Sequence, residues 1–344
     1  MTKCVHRRAV FHAVGLAIAV AAFSLAPHDV ARAEEVALPK DVPAGTKIVV
    51  ADQNEKLQTL MRASGEQGKL SFEANYANFA GGPQILEAFR AGAVDLATVG
   101  NAAPIQAQAA GEDLPIVAAI TQTSADYTFA VRPGLAINTL EELKGKKIAY
   151  AEGSGRQPFV LFALKLAGLS RDDVELVRLR VPDFQDAIRT GQVDAAPLIE
   201  PHLSRYLAEF KDASVISPAQ HDRLPRALSY LYASRVALDD PAKAPAVRDF
   251  VAHWIAANRW SKQNPDAWVD AYYVKAQKLT KAEGDAIVKA EGEDGFPLLS
   301  SVVGRQQELA DLIFDAGDLP ERLDASKEFD LRFDEVIAAS NSSN

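Results

Sequence analysis

The sequence predicts an α/β protein of two lobes, each a mostly parallel sheet flanked by helices, and three observations carry that expectation. A phrase is written twice: residues 88–97 read AFRAGAVDLA and residues 187–196 read AIRTGQVDAA, a displacement of 99 from 88 to 187. Each copy puts an arginine in the last turn of a helix, where a cation suits the carbonyl end, and a glycine just beyond, where a positive φ costs least. The apolar runs that follow, 94–97 and 193–196, have the length of buried parallel strands. Strand and helix patterns also alternate from residue 48, and the alternation restarts near residue 140. Finally, a leader of 33 residues leaves 311 of the 344, enough for two lobes of ordinary size.

The leader is read from its three parts. Residues 1–8 are basic, and 9–26 form an apolar run that Pro27 and His28 end too soon for a membrane span. Ala31-Arg32-Ala33 supplies a small-x-small cleavage pattern, so the expected mature chain starts near Glu34 and is soluble in the periplasm. Arg7-Arg8 suits the basic start of a general secretory signal, with a twin-arginine address as the alternative. Cys4, the single cysteine, leaves with the leader, which excludes a disulfide, a thiol nucleophile and a thiolate metal site. Processing turns 37 basic and 46 acidic residues into 33 and 45, a net charge of −12. No run of Lys or Arg offers a basic face, so nucleic acid is excluded as a partner.

The first strand covers 48–51, with Asp52, Gln53 and Asn54 as the polar loop at its carboxyl end. A helix over 57–63, a strand over 70–76 and the turn Gly81-Gly82-Pro83 follow, and Pro83 fits a first helical position. After the first phrase come Gly100-Asn101-Ala102-Ala103, a helix through Ala110, and strands over 116–120 and 127–131. The second series has a short helix over 140–145, a strand over 147–150, a turn over 153–158, a strand over 174–179 and a helix over 184–190. A last strand covers 229–233, and 241–339 is nearly all helical in pattern, with Val251, Trp254, Ile255 and Asn258 on one face. The expected division is leader 1–33, first lobe 44–131, second lobe 132–228, and a return to the first lobe over 229–340. Crossings near 131–138 and 224–231 are expected to act as hinges, with the C-terminal helices packed on the first lobe and the SNSSN tail disordered.

In an open parallel sheet, ligands sit at the carboxyl ends of the strands, where loops lead into helix N-termini. The candidate contacts are therefore Gln53 and Asn54; Phe79, Gly81 and Gly82; Asn101, Ala102 and Ala103; Ser154, Gly155 and Arg156; and Glu200 and His202. Tyr127, which opens the run 127–131, joins them. Small residues let backbone N–H groups approach a ligand, and helix dipoles favour an anion there. Ser154 reads as a hydrogen-bond donor or helix cap, and Arg156 either faces solvent or pairs with an anion. Gly153-Ser154-Gly155 lacks the spacing of a nucleophile elbow and the third glycine of a dinucleotide fingerprint. His202, His221 and His253 have no metal-ligand spacing, so neither metal nor cofactor is expected. His253 reads as a packing residue, and Trp260, Tyr272 and Tyr273 as core or lobe-surface residues.

The stretch NFAGGPQILEAFRAGAVDLATVGNAAPIQAQAAG (78–111), with LKGKKIAYAEGSG (143–155) and GQVDAAPLIEP (191–201), resembles the periplasmic aliphatic-sulfonate, taurine and nitrate binding proteins of ABC importers. The resemblance implies a type II periplasmic binding protein clamp, a monomer that holds a small anionic organosulfur ligand between its lobes and meets the membrane only through an ABC transporter permease. Two departures from the family pattern bear on the ligand: Asn101 stands where an acidic residue is common, and Ile199-Glu200-Pro201 where an aromatic-acidic-Pro is. The competing readings are an enzyme on the same fold, such as an aromatic sulfinate desulfinase or a pyrimidine-forming protein, and a sensor module. Desulfinase chemistry would need a cysteine in the cleft, which the loss of Cys4 removes.

Overall fold

The structure, a computed structural model, describes residues 37–124, 127–226 and 228–342. The expected leader and its cleavage point lie outside the described residues. In chain order come β1 (Lys47–Gln53), α1 (Lys56–Ala63), β2 (Glu73–Phe79), α2 (Gly82–Arg90), β3 (Leu96–Gly100), α3 (Ala103–Ala109) and β4 (Ile116–Gln122). The middle of the chain forms β5 (Thr128–Val131), β6 (Lys147–Tyr150), α4 (Arg156–Leu166), β7 (Glu175–Arg178), α5 (Phe184–Arg189), β8 (Ala195–Leu198), α6 (His202–Glu209), β9 (Ser214–Val215) and α7 (Pro218–His221). It returns as β10 (Leu228–Ala233), α8 (Arg235–Asp239), α9 (Lys243–Gln263) and α10 (Pro265–Trp268), then a π-helix (Val269–Ala276). The last elements are α11 (Lys281–Glu291), β11 (Asp294–Gly295), α12 (Leu299–Asp315) and α13 (Asp334–Ser342).

Two mixed sheets result, ordered β11-β4-β10-β3-β1-β2 and β7-β6-β8-β5-β9. β1 pairs in parallel with β2 and β3, while the returning β10 lies antiparallel between β3 and β4. In the second sheet β7, β6 and β8 are parallel and β5 is antiparallel to β8 and β9. This is the two-lobe α/β clamp.

The doubled phrase has one physical cause. The Asp95 N–H donates to the Val49 carbonyl at 2.8 Å, and its Oδ2 accepts the Val49 N–H at 2.9 Å, so one residue engages both backbone groups of the neighbouring strand. Asp194 does the same with Lys147, at 2.7 and 3.0 Å. Each carboxylate also holds a cation at 2.8 Å, Lys243 Nζ in one lobe and Arg132 Nε in the other. Ahead of each, a glycine turns the chain at φ 65° (Gly92) or 75° (Gly191), which a side chain would strain.

Three expectations are corrected. The sequence pattern places the run 127–131 in the first lobe, but β5 pairs with β8 and β9, so the first crossing falls between Gln122 and Thr128. Four apolar residues between two loops carry no signal of which sheet they join. The C-terminal helices were expected on the first lobe, and α9 and α13 do bury Phe250, Trp254, Val336 and Ile337 there. α12, however, starts in the first core with Leu299 and Val302 and ends in the second with Leu309, Ala310 and Ile313. Seventeen residues make a helix about 25 Å long, enough to span both cores. The chain then docks on the second lobe through Asp318, which accepts from Tyr150 Oη, from Gln157 Nε2 at 2.9 Å and from Arg171 Nη1, before Phe329 and Phe333 re-enter the first core. The lobes are thus joined by two more passages than the two expected hinges. The tail is corrected as far as Ser342: α13 includes it, and Arg259 holds the Ser340 carbonyl and Asn341 Oδ1.

His253 is an ionic bridge, not apolar packing. Its Nδ1 meets Glu66 Oε2 at 2.7 Å and its Nε2 lies 3.6 Å from Asp249 Oδ1, while Asp249 Oδ2 also accepts from the Ser71 N–H and hydroxyl. Contact with Asp249, then Glu66, raises the imidazole above its ordinary pKa against the opposing effect of burial. A raised folded-state pKa gives stability that is complete below about 6.5 and is lost as pH rises through the folded value. Despite burial, Lys69 and then His253 lower Glu66, and His253 and then Ser71 lower Asp249, so their share is lost in acid instead. Melting temperatures of the parent are expected to drop relative to His253→Gln between pH 6 and 9, by on the order of 1 kcal/mol in stability. Parallel melting curves across that range would refute the charged bridge.

Candidate functional site

Each candidate loop joins a strand end to a helix start. After β1, the buried Asp52 accepts from the N–H groups of Gln53, Leu57 and Gln58 at 2.7, 2.9 and 2.8 Å, which caps α1 across a loop where Asn54 and Glu55 have φ 54° and 57°. Burial pushes the Asp52 carboxyl up, and the three amides pull it back. Gln53 Nε2 donates to the Thr98 carbonyl at 3.3 Å, tying the β1 loop to β3. Phe79 ends β2 half-buried, and the Ala80 N–H donates to Gln84 Oε1 at 2.9 Å.

The loops of the two sheets meet face to face. A Cβ on Gly100 would lie 2.8 Å from the Gly155 nitrogen and 2.9 Å from its Cα, and one on Gly155 would lie 2.3 Å from Tyr127 Oη. A Cβ on Gly82 would meet the Gly153 carbonyl at 3.1 Å. Gly100 and Gly82 are required by close approach to second-lobe backbone, and Gly155 by the Tyr127 ring of its own lobe. Gly81 has more room, with Val181 at 3.5 Å from the same construction. Two hollows, of about 410 Å³ beside Arg259 and Lys262 and about 540 Å³ between α4 and α12, lie away from these loops.

Arg156, one of the two fates expected for which was solvent, is 6% exposed. Its Nε donates to the Pro197 carbonyl at 3.2 Å, and its guanidinium lies 5.2 Å from the Tyr127 ring centre and 5.7 Å from that of Phe184. Ser154 Oγ donates to the Ala151 carbonyl at 2.8 Å and accepts the Arg156 N–H at 3.3 Å, so its hydroxyl shapes the start of α4. Burial first, then the fields of Arg156 and Arg205, pushes His202 down to about 4, which leaves a neutral imidazole beside two cations. Glu200 Oε2 accepts the Ser204 N–H at 3.1 Å and caps α6, a role that Pro201 cannot fill. Burial raises the Glu200 carboxyl, and Glu291 and Glu283 add to the effect.

Of the second-lobe candidates, Tyr127, Ser154 and Gly155 lie against Gly82 and Gly100 of the first lobe, Arg156 lies beside Tyr127, and Glu200 and His202 stand at the start of α6. Asn101 follows Gly100 and is tied to α12 through its backbone. Its carbonyl accepts from Gln306 Nε2 of α12 at 3.0 Å, and Ala102 and Ala103 are buried packing residues. Sequence reasoning missed Phe184, Arg205 and Gln277. Arg205 Nη2 donates to the Gln277 carbonyl and, at 3.2 Å, to its Oε1, and Gln277 Nε2 donates to the Asn54 carbonyl at 2.7 Å. No spacing signal links them, since 72 residues separate Arg205 from Gln277. Among the described residues no group of three or more His, Cys, Asp or Glu is placed to hold a metal, and no helix is long and apolar enough to cross a membrane.

A family model described as NMT1/THI5 like matches residues 75–267. The chain belongs to this family. An alkanesulfonate-binding protein SsuA from Xanthomonas axonopodis pv. citri, solved bound to MOPS, superposes with a TM-score of 0.74 at 25% identity, over 83% of this chain and 99% of that one. The periplasmic aliphatic sulphonate binding protein SsuA of Escherichia coli has a TM-score of 0.70 at 24% identity, over 82% and 91%. A protein of Escherichia coli (strain K12) provisionally named as aliphatic sulfonates-binding is 27% identical over 67% of this chain, which spans 62% of that relative. The desulfurization enzyme DszB shares the fold at 15% identity and a TM-score of 0.61, over 86% of this chain and 99% of that one.

Proposed function

We propose that this family member is a solute-binding protein that holds a small organic anion of the alkanesulfonate class between its lobes and delivers it to the permease of an ABC importer. The observation that carries the reading is the convergence of strand-end loops from two sheets onto one cleft whose wall contains the buried guanidinium of Arg156. Binding at the carboxyl ends of open α/β sheets and clamping between lobes are what such a geometry suits. The likeness to SsuA, solved with a sulfonate buffer molecule, supports the choice of ligand class. On this reading residues 1–33 are an export signal cut near Ala33, and the mature protein works as a periplasmic monomer without catalytic chemistry. With the signal removed a cysteine-dependent reaction has no nucleophile, because Cys4, the single cysteine of the chain, leaves with it.

The test is a thermal-shift and calorimetric panel of ethanesulfonate, MOPS, taurine, nitrate, aromatic carboxylates and thiamine precursors. A ligand at 100 times its Kd stabilises by about 2.7 kcal/mol, which raises the melting point by about 5 °C or more. A response to carboxylates or thiamine precursors alone would overturn the sulfonate assignment. Within the same panel, Arg156→Lys keeps the charge but loses the planar fork that binds an oxyanion at two points. Affinity for the best sulfonate is expected to fall about 10-fold, the scale of one hydrogen bond to a charged group. Parent-like titration by a folded Arg156→Lys protein would remove Arg156 from the site.

A further inference from the structure

Away from the glycine contacts, the lobes meet a second time at Gln277. Arg205 on α6 belongs to the second lobe, and Gln277 follows a π-helix whose Tyr272 and Tyr273 sit in the first core. Arg205 engages both the carbonyl and the side-chain oxygen of Gln277, and the Gln277 amide passes the connection on to the Asn54 carbonyl in the β1 loop. Backbone conformation marks the same spot. Among the described residues, the non-glycine residues at positive φ are Asn54, Glu55 and Lys278, at 54°, 57° and 60°, and all three flank this chain of hydrogen bonds. Such conformations persist only where surrounding structure holds them, and they cluster at clamps and switches. The π-helix that delivers Gln277 is itself a rare, helix-widening form found mostly at functional sites.

We infer that Arg205 and Gln277 form a latch that holds the lobes closed, making Gln277 a positioning residue that acts on the ligand site through the β1 loop. The inference rests on the cleft being the ligand site. A latch of this kind contributes to the closed state with every ligand alike, so it slows release without altering encounter. The Gln277 side chain is fitted for the task because it donates to Asn54 and accepts from Arg205 at once, whereas alanine keeps only the backbone carbonyl as an acceptor for Arg205.

The experiment uses the mature protein and ethanesulfonate. Arg205→Ala should raise the dissociation rate about 10-fold, and Gln277→Ala by less because its backbone carbonyl still accepts from Arg205, while the association rate stays within about 2-fold. The double variant should be no faster than Arg205→Ala, because Arg205→Ala already removes every contact between the two residues. Arg205→Lys, which retains a charged donor, should recover part of the loss. An unchanged dissociation rate in both single variants, or effects that multiply in the double variant, would overturn the latch. Spin labels on the exposed positions Arg62 and Lys211 report the lobe separation with no ligand present. There Arg205→Ala should shift the distance distribution to longer values, and a distribution identical to the parent's would also overturn the latch. If the parent binds no ethanesulfonate, the ligand assignment fails and the label distances alone decide the latch.

Discussion

Gly100→Val is expected to hold the two lobes apart and to weaken ligand binding by at least about 100-fold, with Gly100→Ala between it and the parent. The argument is steric. Gly100 ends a first-lobe strand, and even a single Cβ there would sit 2.8 Å from the Gly155 nitrogen and 2.9 Å from its Cα. Neither atom can swing away, because both belong to the backbone that starts α4. Relief comes from moving one lobe off the other, which separates the donors that the two lobes bring to one ligand. Losing about two hydrogen bonds to a charged ligand corresponds to roughly 2.7 kcal/mol, or 100-fold. Calorimetric titration with the best-bound sulfonate checks the affinity. Small-angle scattering of the ligand-free variant should give a larger radius of gyration. Unchanged affinity in a folded Gly100→Val protein would mean that ligand binding does not require this contact.

Asp318→Ala is expected to reduce stability by about 3 to 5 kcal/mol, the scale for leaving a buried ion-pair partner alone. The Asp318 side chain is 2% exposed and gathers the Tyr150 hydroxyl, the Gln157 amide and the Arg171 guanidinium. Alanine leaves the Tyr150 and Gln157 donors without this acceptor and strips Arg171 of its carboxylate, leaving it the Ala316 carbonyl. At about 2 °C per kcal/mol for a chain of this size, the melting point should fall on the order of 6 to 10 °C. Asp318→Asn, which keeps one acceptor, should lose about half as much. Hydrogen exchange should rise chiefly over 316–323, where the chain lies on the second lobe. A shift of less than about 2 °C in Asp318→Ala would show that Arg171 and Tyr150 find water instead.

Much of this architecture is legible in sequence for local reasons. Gly92 and Gly191 stop helices because only glycine turns there without strain, and the Val-Asp that follows each starts a strand. The candidate loops are legible because they are rich in small residues at the ends of strands. What is not legible depends on distance along the chain. Nothing in Thr128-Phe129-Ala130-Val131 says whether its partner is Ala119 or Ala196, since both are small, buried strand residues. Arg156 was ambiguous because its fate depends on Pro197, 41 residues away. Glu200 and Ser154 were read as ligand contacts from their position, although their oxygens are also occupied with capping α6 and shaping the start of α4. Such local roles compete with recognition for the same side chains.

The path of α12 bears on how this protein can be recombined. Leu309, Ala310 and Ile313 cover the second core, yet they lie more than 90 residues beyond the last strand of that sheet, from Val215 to Leu309, on a helix rooted in the first. A gene fragment cut at the two crossings would therefore yield a second lobe with an uncovered apolar face, prone to self-association. Chimeras that exchange the middle segment between homologues inherit the same defect unless α12 and the Asp318 segment travel with it. Permuted chains opened in the β11 to α12 connection would keep that helix covalently beside its second-lobe partners only through Asp318 and the return to α13. The unit of inheritance in this fold is thus the whole chain from β1 to α13, and engineering of its specificity has to proceed residue by residue within the cleft.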